Sequence, residues 1–418
     1  MPFVRPPCNA EKHHREGHNL TALECQLPAL SREYRLLLLF CRLELDGAQA
    51  RAALALCEEI EDWAAFRHTA SHHFILPLVY RHLRRLEPPS LSAGQLALMK
   101  RQVISLNQHN LNVMASLVGA HKKLLLPLEI PYVTFKGPSL AAGYYDEPAM
   151  RFSRDIDILV PQERMAELLA RALEAGYRPL DPSDLADGPV SLAFVARHQK
   201  VITMMSPLGV AIEFHSRIDN IGTVYDSRAL IDLTEIILVG GEEISVMPTD
   251  ELFVYICWHH TKHFWSRLHW LVDLDVIQRH PSFDRDRVLA CAKRHGLEDT
   301  VMMCLKMAKL LGSPSFNPDG NGLDKRLKEL LSFSLHAMQG ELAVELKLAS
   351  RKPTPDFAFL WQTDRQHWLR WQLLGWLRIF RPSYADYRDW PLPPHWQWLY
   401  RPLRPWRESL RRLSLFRH

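Results

Sequence analysis

The sequence predicts an α+β protein: a small mixed sheet flanked by N-terminal and C-terminal α-helical regions. Three observations carry that expectation. Apolar residues recur at three- and four-residue spacing before position 126 and again beyond 248, the period of a buried helix face. Between these stretches lie short runs rich in β-branched residues, "IPYVTFKG", "DIDILV" and "VAIEFHS". The 418 residues also exceed what one ordinary core takes up, so two or three domains are expected.

Residues 1–27 have no apolar stretch of signal-peptide type and read as a mobile tail. The region 28–126 reads as helical, with a break at Pro88-Pro89. The α+β domain is expected over 127–247. Within it a helix runs from about Gln162 to Ala175, closed by Gly176, and "KVITMMSPLGVAIEFHS" reads as a hairpin around Pro207-Leu208-Gly209. A helical domain follows over 248–350. The last segment, 351–418, holds eight of the twelve Trp, interleaved with Arg, and reads as a helical cap. Trp368, Trp371 and Trp376 stand at near-helical spacing, so one face of that helix is expected to bury most of its aromatic area. Peripheral membrane or nucleic-acid contact is the weaker reading of the same Trp/Arg pattern.

Hydrophobic residues at 47% and charged ones at 23% are ordinary for a soluble globular chain, which argues against disorder. A net charge of +4 is too small at this length to argue for nucleic acid. Seven cysteines without a Cys-x-x-Cys pair fit a reducing compartment, so a cytoplasmic location is expected. The early apolar run Leu36 to Cys41 is far too short for a transmembrane segment.

The chemistry concentrates in "RFSRDIDILVP". In a strand, positions i and i+2 share a face, so Asp155 and Asp157 project together while Ile156, Ile158 and Val160 enter the core. Two carboxylates roughly 5 to 7 Å apart repel by about 2 to 3 kcal/mol at an effective dielectric near 20, a cost that a divalent cation reverses. Upstream, Lys136, Gly137 and Ser139 stand at a strand-to-helix junction, a setting that favours a phosphate. Downstream, alternation puts Glu213 and His215 on one face of "VAIEFHS", a third carboxylate on a strand that could neighbour the first. In "WHHTKHFWSRLHWLVDLD", His259 and His263 stand at i and i+4, but the segment reads as a packed helix with Lys262 and Arg267 facing the cleft.

These stretches resemble the DNA polymerase β type nucleotidyltransferase superfamily, with its Gly-Ser, its Asp-x-Asp between hydrophobic residues and its later acidic residue. More closely they resemble a bacterial branch of uncharacterised nucleotidyltransferases, in which Lys-Gly, an Arg shortly before the Asp pair and an Asp/Glu-x-His recur. Pro138 between Gly137 and Ser139 departs from the pattern, as does the longer spacing from Ser139 to Asp155. The resemblance implies Mg²⁺-dependent transfer of a nucleoside monophosphate from an NTP, such as ATP, to an acceptor hydroxyl, with release of pyrophosphate. Asp155, Asp157 and Glu213 would hold two Mg²⁺ ions, and Glu213 would help deprotonate the acceptor. Lys136, Gly137 and Ser139 would bind the nucleotide phosphates, with Lys262 and Arg267 meeting the triphosphate. Arg151 would either neutralise the triphosphate or pair with a neighbouring Asp. The acceptor is unknown. The alternative on the same fold is a catalytically inactive module that senses nucleotide or binds a partner.

Overall fold

The computed structural model describes residues 27–316, 322–340 and 356–415. The expected mobile tail lies outside the described residues except for Leu27, as do 317–321 and 341–350 of the expected helical domain and 351–355 and 416–418 of the expected cap.

Five helices open the chain: α1 (Arg32–Leu39), α2 (Gly47–Cys57), α3 (Trp63–His72), α4 (Leu76–Leu86) and α5 (Ala93–Ala120). Their starts are written in the sequence, since Ser31, Asp46, Asp62 and Ser92 each accept a backbone N–H of the first turn. Pro88 and Pro89 fall in the gap between α4 and α5.

The sheet has seven strands: β1 (Val133–Thr134), β2 (Asp155–Leu159), β3 (Arg178–Asp181), β4 (Val201–Met205), β5 (Ala211–His215), β6 (Glu235–Val239) and β7 (Glu242–Val246). Their order is β3-β4-β5-β2-β1-β7-β6. β2 runs parallel to β5 and antiparallel to β1, while β4 and β5 form the hairpin expected from the sequence. Gly209 turns that hairpin with φ +75°. A second hairpin, β6–β7, turns on Gly240 and Gly241, both at positive φ.

Alternation along the strands divides the core. Ile156, Ile158, Ile202, Met204, Ile212 and Phe214 pack on one side with Leu117 of α5, α7 (Met165–Glu174) and α8 (Pro189–His198). The opposite side, which carries the acidic residues, faces α10 (Thr249–Lys262). Tyr255 of α10 meets Phe135 edge-on at 5.3 Å between ring centres. α10 is buried along most of its length because it sits inside a second apolar cluster. α1 to α4 contribute to that cluster together with α11 (His269–Arg279), α12 (Arg285–Arg294), α13 (Glu298–Leu311) and α14 (Lys325–Gln339). Each fully buried Leu or Phe there, such as Leu36, Phe66 and Phe253, is worth about 1.5 to 3 kcal/mol over exposure.

The C-terminal arm comprises helices Arg365–Trp376, Tyr384–Asp389 and Tyr400–Leu415. Its first helix differs from expectation. Trp371 is buried and donates from Nε1 to Asp356 at 2.9 Å, whereas Trp376 is 79% exposed. At about 100° per residue, Trp371 and Trp376 stand roughly 140° apart around the helix, too far to share one buried face. Trp390, Trp396, Trp398 and Trp406 are exposed as well.

Candidate active site

Asp157 and Glu213 are paired across the parallel β2–β5 ladder, and Asp155 and His215 stand two residues away on the same face. This register turns an i, i+2 pattern on two strands into one patch of three carboxylates and an imidazole. Asp157 is 2% exposed. Its Oδ1 lies 3.0 Å from His215 Nε2 and 3.1 Å from Lys136 Nζ, and His215 Nε2 lies 3.5 Å from Glu213 Oε2.

The two aspartates differ electrically. Burial works to raise the Asp157 carboxyl, but Lys136 and His215 outweigh it and hold it well below the usual carboxylate range. At Asp155 burial and then the Asp157 charge outweigh the pull of Lys136 and push the carboxyl up. Lys136 is likewise disfavoured by burial, yet the carboxylate of Asp157 keeps it firmly charged.

Gly137 allows the chain to pass close to this patch. Its φ is +65°, and a Cβ there would come within 2.7 Å of the Asp155 carbonyl oxygen. α6 (Pro138–Tyr144) starts immediately after it. The Ser139 hydroxyl does not cap that helix; it donates to the Lys136 carbonyl at 2.9 Å and is largely buried.

Arg151 sits elsewhere than a phosphate would require. Its Nε and Nη2 donate to the two carboxylate oxygens of Asp273 at 2.8 and 2.9 Å, and Nη1 donates to Gly137 O and Ser153 Oγ. Both groups are buried, and Tyr145 donates to the same Asp273. The structure thus takes the ion-pair alternative, clamping the loop before β2 to α11. Lys262 is also committed, with its Nζ 3.2 Å from Asp356 Oδ1. Arg267 donates to the Ser266 carbonyl, and its charge acts on Tyr34, His72 and His73.

The sequence reading placed His215 without giving it a role, and it missed Lys200. His215 was legible as the neighbour of Glu213 on the same strand face. Lys200 was not, because nothing local marks it. It precedes β4, accepts the Ser216 N–H on its carbonyl at 2.8 Å, and is pushed down to about 8 by burial and then by the charge of Lys262.

Asp157, Glu213 and His215 each offer a ligand atom, all within 4.8 Å of one another. Carboxylate oxygens and one imidazole nitrogen suit a divalent cation, and Asp155 adds a further carboxylate on the same face. A second group of that kind, Glu251, Cys291 and His295, is already self-satisfied. His295 Nε2 lies 2.8 Å from Glu251 Oε2 and Nδ1 2.7 Å from Val224 O, and Arg294 donates to Glu251 at 3.0 Å. It ties α10 to α12.

With this geometry in place, the profile of a family described as uncharacterised nucleotidyltransferase matches residues 59–313. The chain belongs to this nucleotidyltransferase family. A search of curated proteins finds no match. The nucleotidyltransferase match takes in β1 to β7 and every residue of the acidic patch. Membership supports nucleotidyl transfer as the general function and a nucleoside triphosphate as the substrate class. No described helix is long and apolar enough to cross a membrane.

Proposed function

We propose that the chain is a Mg²⁺-dependent nucleotidyltransferase of the polymerase β type, moving a nucleoside monophosphate from an NTP to an acceptor hydroxyl. The observation that supports this reading is the patch on β2 and β5, where Asp157, Glu213 and His215 bring ligand atoms within 4.8 Å of one another. Asp155, Asp157 and Glu213, with His215, are the residues that would hold the cation, two ions in the full two-metal form. Bound there, Mg²⁺ supplies neutralisation of the triphosphate and of the leaving pyrophosphate.

The protein's own groups do the rest. Glu213, 22% exposed at the edge of the patch, accepts the proton of the acceptor hydroxyl. The hydroxyl oxygen bonds to the α-phosphorus, the bond to the pyrophosphate oxygen breaks, and pyrophosphate leaves. Lys136 and Lys200 provide positive charge beside the patch that draws in the triphosphate, Lys262 being held by Asp356. Gly137 allows backbone to approach it.

One observation favours the inactive alternative, nucleotide sensing without transfer: Lys136 already neutralises Asp157. Labelled NTP, Mg²⁺ and a cell extract separate the two. Transfer of label to an acceptor, lowered about a hundredfold by Glu213→Gln with Mg·NTP affinity largely kept, supports the enzyme. NTP binding without any transfer of label supports the sensor.

A further inference from the structure

A cavity of about 850 Å³ opens where the C-terminal ends of β2 and β5 meet the C-terminal arm. Gln162 and Glu163 reach it from just beyond β2, and Arg217 from two residues beyond His215. Arg197 and His198 enter from the end of α8, and Arg381 and Arg401 from the arm. Four guanidinium groups therefore line one cavity in a chain whose net charge is only +4.

Elsewhere several half-buried and buried arginines have carboxylate partners, as Arg81 has Asp146, Arg151 has Asp273 and Arg407 has Asp389. Among the described residues Arg197, Arg217, Arg381 and Arg401 have none. The acid in the lining, Glu163, is taken by Arg228. The nearby Asp219 is spent on the backbone N–H groups of Ile221, Gly222, Val224 and Tyr225. Nε of Arg217 is buried without a hydrogen-bond partner. The four charges converge: burial and then Arg197, Arg401, Arg217 and Arg381 push His198 down to about 4. Arg381 gives Nη1 to the Asn220 carbonyl at 2.9 Å, and Arg197 and Arg401 are exposed. Gathering four cations without a carboxylate among them is still unfavourable, and a ligand of opposite charge relieves it.

We propose that this cavity is the acceptor's phosphate site, in which Arg197, Arg217, Arg381 and Arg401 bind the phosphate groups of a small, multiply phosphorylated acceptor. The inference rests on the nucleotidyl transfer proposed above and names the class of its second substrate. Guanidinium forks match phosphate oxygens two by two. Four of them call for about four negative charges, which two phosphomonoesters at about −1.5 to −2 each supply. The volume suits a small molecule. Arg217 follows His215 by two positions, at most about 7 Å of chain, so an acceptor anchored here has its hydroxyl within reach of Glu213.

The test is equilibrium binding to the full chain without Mg²⁺, using fructose 1,6-bisphosphate, fructose 6-phosphate, a single-stranded oligonucleotide and ATP as probes. The bisphosphate is expected to bind at least tenfold tighter than the monophosphate. Arg217→Gln combined with Arg401→Gln is expected to weaken it at least tenfold while the melting temperature holds or rises, since repulsion is relieved. Equal affinity for the two sugars, or an unchanged affinity in the double variant, overturns the proposal. Tighter binding of the oligonucleotide replaces it with a nucleic-acid site, and one-for-one displacement by ATP reassigns the cavity to the NTP. Mg·ATP binding, compared between wild type and Asp155→Asn, tests the transfer reading separately. Its absence from the wild type removes that reading and the acceptor role with it, whatever the sugar does.

Discussion

Asp155 and Asp157 stand on one strand face but are expected to respond oppositely to the same substitution. Asp157→Asn removes the partner of a half-buried Lys136 and of a buried His215, so it is expected to cost about 2 to 4 kcal/mol in urea unfolding. Asp155→Asn removes repulsion and is expected to leave stability unchanged or slightly raised. Both should abolish transfer. Equal unfolding midpoints for the two variants would contradict this division. Gly137→Ala is a harsher change than its size suggests, because φ +65° and the Asp155 carbonyl both oppose a methyl group. A loss of at least 1 to 2 kcal/mol is expected, with weaker NTP binding. Wild-type stability in that variant would mean that the backbone there relaxes freely.

Among the elements, β2 and the β4–β5 hairpin were legible because their side chains alternate between a core face and a polar face. β6 and β7 went unread although "EIILVGGEEISV" contains two strand-like runs around Gly-Gly, a two-residue hairpin signal. β3 offers little to read: four residues including Pro179, at the sheet edge. The link between elements that holds the site is the Arg151–Asp273 pair, which joins the loop before β2 to α11. Asp273→Asn leaves a buried guanidinium uncompensated. It should cost about 3 to 5 kcal/mol and lower transfer by loosening β2, whereas a variant with wild-type unfolding would reduce the pair to ornament.

At the scale of the molecule, buried histidines set the acid limit. Burial, the largest cause, pushes His73 down to about 3 and His82 to about 4. Their folded values lie below the ordinary value of about 6.5, so the unfolded chain takes up protons first. Stability is therefore expected to be full above pH 6.5 and to fall as pH drops toward 4, by up to about 1.4 kcal/mol per unit for each imidazole. Urea midpoints at pH 7.5, 6 and 5 measure this. A flat profile below pH 6.5 would show that these rings admit a proton without unfolding.

The sequence by itself determined which residues share a face. Helix and strand periods are local, so "DIDILV" and "VAIEFHS" already put Asp155 with Asp157 and Glu213 with His215, and Ser31, Asp46 and Pro248 already marked where helices begin. Only the tertiary structure decided which faces meet. The parallel β2–β5 register set Asp157 beside Glu213, the packing of α11 took Arg151 away from the cleft, and the return of the arm assembled an arginine cavity from positions 197, 217, 381 and 401. Such contacts depend on where separate segments cross, and no local period records a crossing.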